Sequence, residues 1–112
     1  MAAYIVGNLT VNDPATFEQY SAAVVPLLMN SGGKLLARDF EPMDLDGTSR
    51  PGLAIIEFES VEAAHSFYNS PAHQAVVALR LSSTEGWLRV VPALTMPTSP
   101  AKQQKDRESQ AD

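Results

Sequence analysis

Leu53-Ala-Ile-Ile-Glu-Phe58-Glu-Ser60-Val-Glu-Ala-Ala-His65-Ser-Phe67-Tyr68-Asn-Ser70-Pro71-Ala-His73-Gln74 holds the transition on which the fold turns. Leu53 to Phe58 is apolar except for Glu57, and so continuous a run predicts a central strand covered on both faces. The pattern changes at Ser60. That residue suits an N-cap, and Glu62 suits the first turn of a helix, where negative charge meets free backbone N–H groups. Ala64, Phe67 and Tyr68 then fall on one helical face. Ser70-Pro71 repeats the start signal, a capping residue followed by Pro at the first helical position. A second short helix is therefore expected, carrying Ala72, Ala75, Val76 and Leu79 inward, with Arg80 near its C-terminal end.

Working upstream, Tyr4 to Val11 is rich in β-branched and aromatic residues and predicts a first strand. Asp13-Pro14 is another helix start. Phe17, Tyr20, Val24 and Leu28 follow on one stripe, Pro26 is expected to kink the helix, and Gly32-Gly33 ends it. Lys34 to Phe40 predicts the second strand, with Leu35 and Ala37 on one face and Leu36, Arg38 and Phe40 on the other. Glu41 to Gly52 is a polar connection. Its Asp44-Leu45-Asp46-Gly47 lacks the glycine position and final Glu of a calcium loop. Downstream, Glu85-Gly86 turns into a last strand, Trp87 to Pro92. The order βαββαβ predicts an α+β, ferredoxin-like sandwich in which two helices cover one face of a four-stranded antiparallel sheet. Tyr4, Val6, Leu36, Phe40, Ala54, Ile56 and Phe58 are too apolar for the far face of that sheet to stay wet. A second copy of the sheet is the simplest cover.

The chain has 112 residues, 45% of them hydrophobic and 19% charged, enough for one domain with a core. Its net charge of −5 argues against nucleic-acid binding, which needs a basic face. The absence of cysteine removes disulfides, thiolate metal sites and Cys nucleophiles. No targeting segment is visible, and no apolar run approaches the ~20 residues that cross a bilayer, so a cytoplasmic protein without membrane association is expected. Asn8-Leu9-Thr10 matches a glycosylation sequon and reads as chance within a strand. Residues 1–94 form the domain. Residues 95–112 hold one large apolar residue, Met96, and read as a flexible polar tail.

Few side chains can do chemistry. His73, Val76, Val77 and Arg80 share one helical side. His73 is a candidate general base near neutral pH and Arg80 a candidate anion holder; the competing reading is a half-buried His with an Arg at a helix end. Arg38 lies mid-strand beside apolar neighbours and wants an anionic partner, either a ligand or Glu57. Tyr20 and Tyr68, on the apolar faces of the two covering helices, are pocket walls or core residues with a satisfied hydroxyl. Trp87 fits packing, and His65 a solvated helix flank. Two His separated by a helix break, with no carboxylate at ligand spacing, do not make a metal or haem site.

The blocks Ala3-Tyr-Ile-Val6, Val25-Pro-Leu-Leu28, Gly32-Gly-Lys-Leu-Leu-Ala-Arg38, Ile55-Ile-Glu-Phe58, Ser60 to Gln74 and Leu79-Arg80 together resemble domain-of-unknown-function family 1330, within the dimeric α/β-barrel superfamily. The resemblance covers roughly residues 2–94. It implies a homodimer whose two sheets face each other as a barrel. Relatives in the superfamily include quinone-forming monooxygenases, haem-degrading enzymes, lactone isomerases and stress-response barrels, so architecture is implied and chemistry left open. Two departures stand out: Asp39 where the family often has Gly, and His73 where it usually has Tyr.

These readings converge on a small-molecule-binding dimer, with a cofactor-independent isomerase or monooxygenase-like activity on a small aromatic or carbonyl compound. His73 and Arg38 are the expected catalytic residues; Tyr20, Tyr68 and Arg80 are the expected substrate contacts; no cofactor is expected. The alternatives are a non-catalytic ligand-binding or stress-associated dimer, and a structural interaction module. Truncation after Leu94 is expected to leave the melting temperature unchanged. A drop of many degrees would show instead that the tail docks on the domain.

Overall fold

The computed structural model describes residues 1–95, so the expected tail lies outside the described residues apart from Thr95. Eight elements follow in order: β1 (Ala3–Val11), α1 (Pro14–Asn30), β2 (Lys34–Asp39), β3 (Gly52–Phe58), α2 (Val61–Tyr68), α3 (Pro71–Gln74), α4 (Val77–Ser83) and β4 (Thr84–Pro92). The strands form one antiparallel sheet in the order β2-β3-β1-β4, with β1 and β3 central as the apolar runs require. This is the ferredoxin-like α+β arrangement. Ile5 and Phe58 from the sheet meet Tyr20, Val24 and Leu28 of α1 and Ala64 and Phe67 of α2 in one core.

The helix starts are built as the capping residues dictate. Asp13 accepts from the Thr16 N–H at 3.2 Å, Ser60 from the Ala63 N–H at 2.9 Å, and Ser70 from the His73 N–H at 3.2 Å. α1 continues through Pro26 to Asn30. Gly32 then takes a positive φ of 83°, which a side chain would oppose, and the chain reverses into β2.

Four local expectations are corrected. First, β2 carries a bulge between Leu35 and Ala37. One extra residue resets the alternation, so Leu35 and Arg38, opposite Ile56 and Ala54, face the helices, and Ala37, opposite Ile55, faces away. Second, register puts Ala54, Ile56 and Phe58 on the helix side with Ile5. The uncovered face is instead made by Tyr4, Val6, Leu53, Ile55, Trp87 and Val91. Phe40 also leaves that face: its ring meets Phe17 of α1 edge-on at 5.9 Å. Third, the helix after Ser70-Pro71 is broken. The Val76 N–H bonds back to His73 rather than four residues back, which tightens the turn between α3 and α4. His73, Val77 and Arg80 are buried, whereas Ala72 and Ala75, expected inward, are exposed. Fourth, β4 begins at Thr84, because Thr84 and Glu85 pair with Val11 and Thr10.

Asn8 shows why the sequon is silent in the folded chain. Its side-chain amide is buried, donating to the carbonyls of Arg50 and Gly52 at 2.9 Å each and accepting from the Arg50 N–H at 3.1 Å. It ties the end of the β2–β3 connection to β1.

Gly86 allows β4 to pair without interruption. Its φ is 134°, and a Cβ there would run into the Asn8 carbonyl oxygen. Gly86→Ala is expected to destabilise the fold by ~2 kcal/mol or more, read as a lower urea midpoint. An unchanged midpoint would mean that β4 does not depend on that backbone conformation.

Candidate functional site

The site grows from the end of α2. The last carbonyls of a helix lack intrahelical donors. Here the Tyr68 carbonyl accepts from the Gln74 side-chain amide at 2.8 Å and from His73 Nδ1 at 2.9 Å. A carbonyl can only accept, so Nδ1 carries the proton. In the neutral ring Nε2 is then a lone-pair acceptor, and the Tyr20 hydroxyl, 2.9 Å away, donates to it. The result is a directed chain from Tyr20 O–H through the imidazole to a helix end.

Aromatic walls hold the ring in place. The centroids of Tyr68, Phe67 and Tyr20 lie 4.9, 5.1 and 6.0 Å from that of His73. His73 is 1% exposed, so it is a core residue and not the half-buried one considered from sequence. Burial pushes its pKa below the usual 6.5, the Tyr68 carbonyl opposes that shift, and the Arg80 charge adds to it. The imidazole is therefore neutral at pH 7. Burial also raises the Tyr20 hydroxyl above its usual 10, against the pull of Arg80, which keeps it a phenol.

Arg80 projects from α4 and is 7% exposed. Its Nη2 donates to the Tyr68 hydroxyl at 3.1 Å, while its buried Nε has no partner. All four side chains line a cavity of about 90 Å³ between helices and sheet, whose other walls are chiefly apolar, among them Val24, Leu28, Ile56 and Phe67. Among the described residues, no carboxylate lines this cavity.

Thus Tyr20, Tyr68, His73 and Arg80 are brought together, as the sequence suggested. Arg38 is placed differently. It is exposed, not buried, and stands where the cavity meets a surface hollow formed with Phe17, Glu18 and Phe40. Glu57 is opposite Lys34 on the other face of the sheet, which excludes the Arg38–Glu57 pair. His65 is exposed and meets Asn69, and Trp87 lies on the uncovered face beneath the Arg89 guanidinium at 5.3 Å. Among the described residues, no three His, Asp or Glu side chains converge as metal ligands would. Sequence reasoning missed the Tyr68 carbonyl, the group that sets the His73 tautomer. The Asn69-Ser70-Pro71 stop signal, which leaves that carbonyl free two residues before a new helix, was the available sign.

The model of a family described as "Domain of unknown function (DUF1330)" matches residues 2–94. The chain belongs to the DUF1330 family. No curated protein matches its sequence. Solved structures match this DUF1330 chain in fold at low identity. A protein of unknown function from Rhodopseudomonas palustris superposes with a TM-score of 0.71 at 16% identity, over 85% of this chain and 84% of its own. SnoaB, a cofactor-independent oxygenase from Streptomyces nogalater, gives 0.62 at 16% identity, over 87% and 98%. A dimeric ferredoxin-like protein of unknown function from Thermobifida fusca gives 0.57 at 14%, over 83% and 92%.

The neutral, buried imidazole has a measurable consequence for this DUF1330 protein. The unfolded chain protonates this ring around pH 6.5, whereas the folded chain holds it neutral to lower pH. Stability is therefore kept above pH 6.5 and is lost as pH falls from there through the folded-state pKa. Urea midpoints at pH 7.5 and 5.5 are expected to differ in wild type and to differ much less in His73→Gln. An equal drop in both proteins would place the acid sensitivity elsewhere.

Proposed function

We propose that the chain works as a homodimer of the α/β-barrel kind whose helix–sheet cavity binds a small carbonyl compound and moves a proton on it. The observation that carries this reading is the directed hydrogen-bond chain from Tyr20 through His73 to the Tyr68 carbonyl, with Arg80 alongside. The Tyr20 oxygen keeps a lone pair after donating its hydrogen to His73. A carbon acid beside a carbonyl can give its proton to that oxygen while Tyr20 passes its own proton to Nε2. The products are an imidazolium and an enolate, and the enolate oxygen takes N–H donors from Arg80. Return of the proton to another carbon completes an isomerisation. No electrons leave the substrate, so no oxidant enters the balance.

Burial and Arg80 both disfavour the imidazolium, so the transfer is supported only when the ligand develops negative charge between His73 and Arg80. That coupling favours the neutral resting state seen here and ties protonation to occupancy. The cavity volume of about 90 Å³ favours a short carbonyl compound over an aromatic ring. Apolar cavities that accept benzene are nearer ~150 Å³. Arg38, at the mouth, suits attraction of a ligand rather than the chemistry itself. The likeness to a cofactor-independent oxygenase concerns the fold, and no oxygenase step is part of this reading.

The dimer follows from the uncovered face. Ile55, Trp87 and Val91 are each more than a third exposed beside Tyr4, Val6 and Leu53, an apolar patch that a second copy would cover. Dimeric ferredoxin-like proteins among the structural neighbours support the same arrangement. Sedimentation at micromolar concentration is expected to give a dimer, and Ile55→Glu a monomer. A clean wild-type monomer would remove the barrel.

The proton-transfer reading is checked by incubating the protein with butanone and 2-oxobutyrate in D2O and following loss of the α-proton signals by NMR. Wild type is expected to speed exchange, and His73→Gln and Tyr20→Phe to slow it by ~10²-fold. Binding without any exchange would support the alternative, a cavity that holds its ligand and does not turn it over.

A further inference from the structure

Five basic side chains occur in residues 1–95, against ten acidic ones. Arg80, one of those five, lies in the core, and no carboxylate lines its cavity among the described residues. A buried charge without a counter-charge is costly, and none of the acidic side chains among the described residues is placed against it in the cavity. The Arg80 guanidinium spends Nη2 on a neutral phenol and leaves Nε without an acceptor. The side chain also lines the cavity, where the described residues place no anionic group against it. Its positive field reaches both groups of the hydrogen-bond chain, lowering the pKa of Tyr20 and of His73 from what burial alone would give. Arg38 adds a second positive group at the mouth of the same cavity.

We propose that the cavity takes a short aliphatic monocarboxylate whose carboxylate is received by the Arg80 guanidinium and whose carbon body lies against Val24, Leu28, Ile56 and Phe67. This rests on the cavity reading given above and narrows its ligand from carbonyl compounds in general to anionic ones. The charge of the ligand offsets the charge that the fold leaves uncompensated. Its oxygens can accept N–H donors from the part of the guanidinium that lines the cavity, in the planar geometry that suits a guanidinium. The volume of about 90 Å³ limits the body to a few carbons. A neutral amide of the same shape could accept a hydrogen bond and would leave the charge unanswered.

Butyrate and butyramide separate these cases, because they share size and differ in charge. The full chain is titrated with each, and the methyl signals of Val24 and Leu28 are followed by NMR. Butyrate is expected to shift them with a Kd at least ~10-fold lower than that of butyramide. The preference should persist in 0.5 M NaCl, since a buried cation is poorly screened whereas a surface patch is not. Arg80→Met is expected to bring the two ligands to parity, and Arg80→Lys, which keeps the charge, to retain part of the preference. If butyramide moves the same methyls as well as or better than butyrate does, the carboxylate inference is overturned and the cavity reading stands. If neither ligand moves them, the cavity reading fails and the inference goes with it.

Discussion

The hydrogen bond from His73 Nδ1 to the Tyr68 carbonyl organises this molecule's interior. It begins as a problem of helix termination. α2 stops at Tyr68, and the stop leaves the last carbonyls without intrahelical donors, the Tyr68 carbonyl among them at the edge of the core. The chain answers with Ser70-Pro71, which starts a new helix at once and swings His73 and Gln74 back over the free carbonyl. That one contact fixes which ring nitrogen is protonated, makes the other an acceptor, and so decides that Tyr20 is a donor. The polarity of the whole constellation is set by a backbone oxygen that carries no chemistry of its own.

A second constraint is dielectric. Tyr20, Tyr68, His73 and Arg80 share a cavity whose remaining walls are chiefly hydrocarbon. Burial keeps the imidazole and the Tyr20 phenol in their neutral forms, beside the Arg80 guanidinium and with Arg38 at the mouth. In such surroundings small changes of charge have large effects. A largely apolar box with a buried guanidinium, a second at its mouth and a tunable proton acceptor is suited to recognising or creating an anion, whether or not the ligand is then transformed.

The two faces of the sheet divide the work. The helix side builds the cavity, with the β2 bulge turning Arg38 toward it and Gly86 letting β4 run on beside β1. The far side carries Ile55, Trp87 and Val91 in a row of apolar and aromatic groups that solvent covers poorly. No helix among the described residues is long and apolar enough to cross a membrane. Strand register therefore matters twice. A slip of one residue would exchange the two faces, emptying the cavity wall and exposing the core.

The element order was legible because it rests on local physics: capping at Asp13, Ser60 and Ser70, Pro after the first and last of these, alternation in β1 and the apolar run of β3. The same signals placed Tyr20 and Tyr68 on the apolar faces of their helices and His73 and Arg80 on one helical side. What the sequence could not carry were effects that depend on a neighbour. The β2 bulge exists only against β3, and it turned Arg38 toward the cavity mouth, on the face opposite Glu57. The break at Val76 separates α3 from α4, and tertiary packing buries Arg80 while leaving Ala72 and Ala75 exposed. Local propensity thus decided which residues form helices and strands. Only the packing of those elements decided which side chains meet, which nitrogen of His73 holds its proton, and which charge is left inside without a partner.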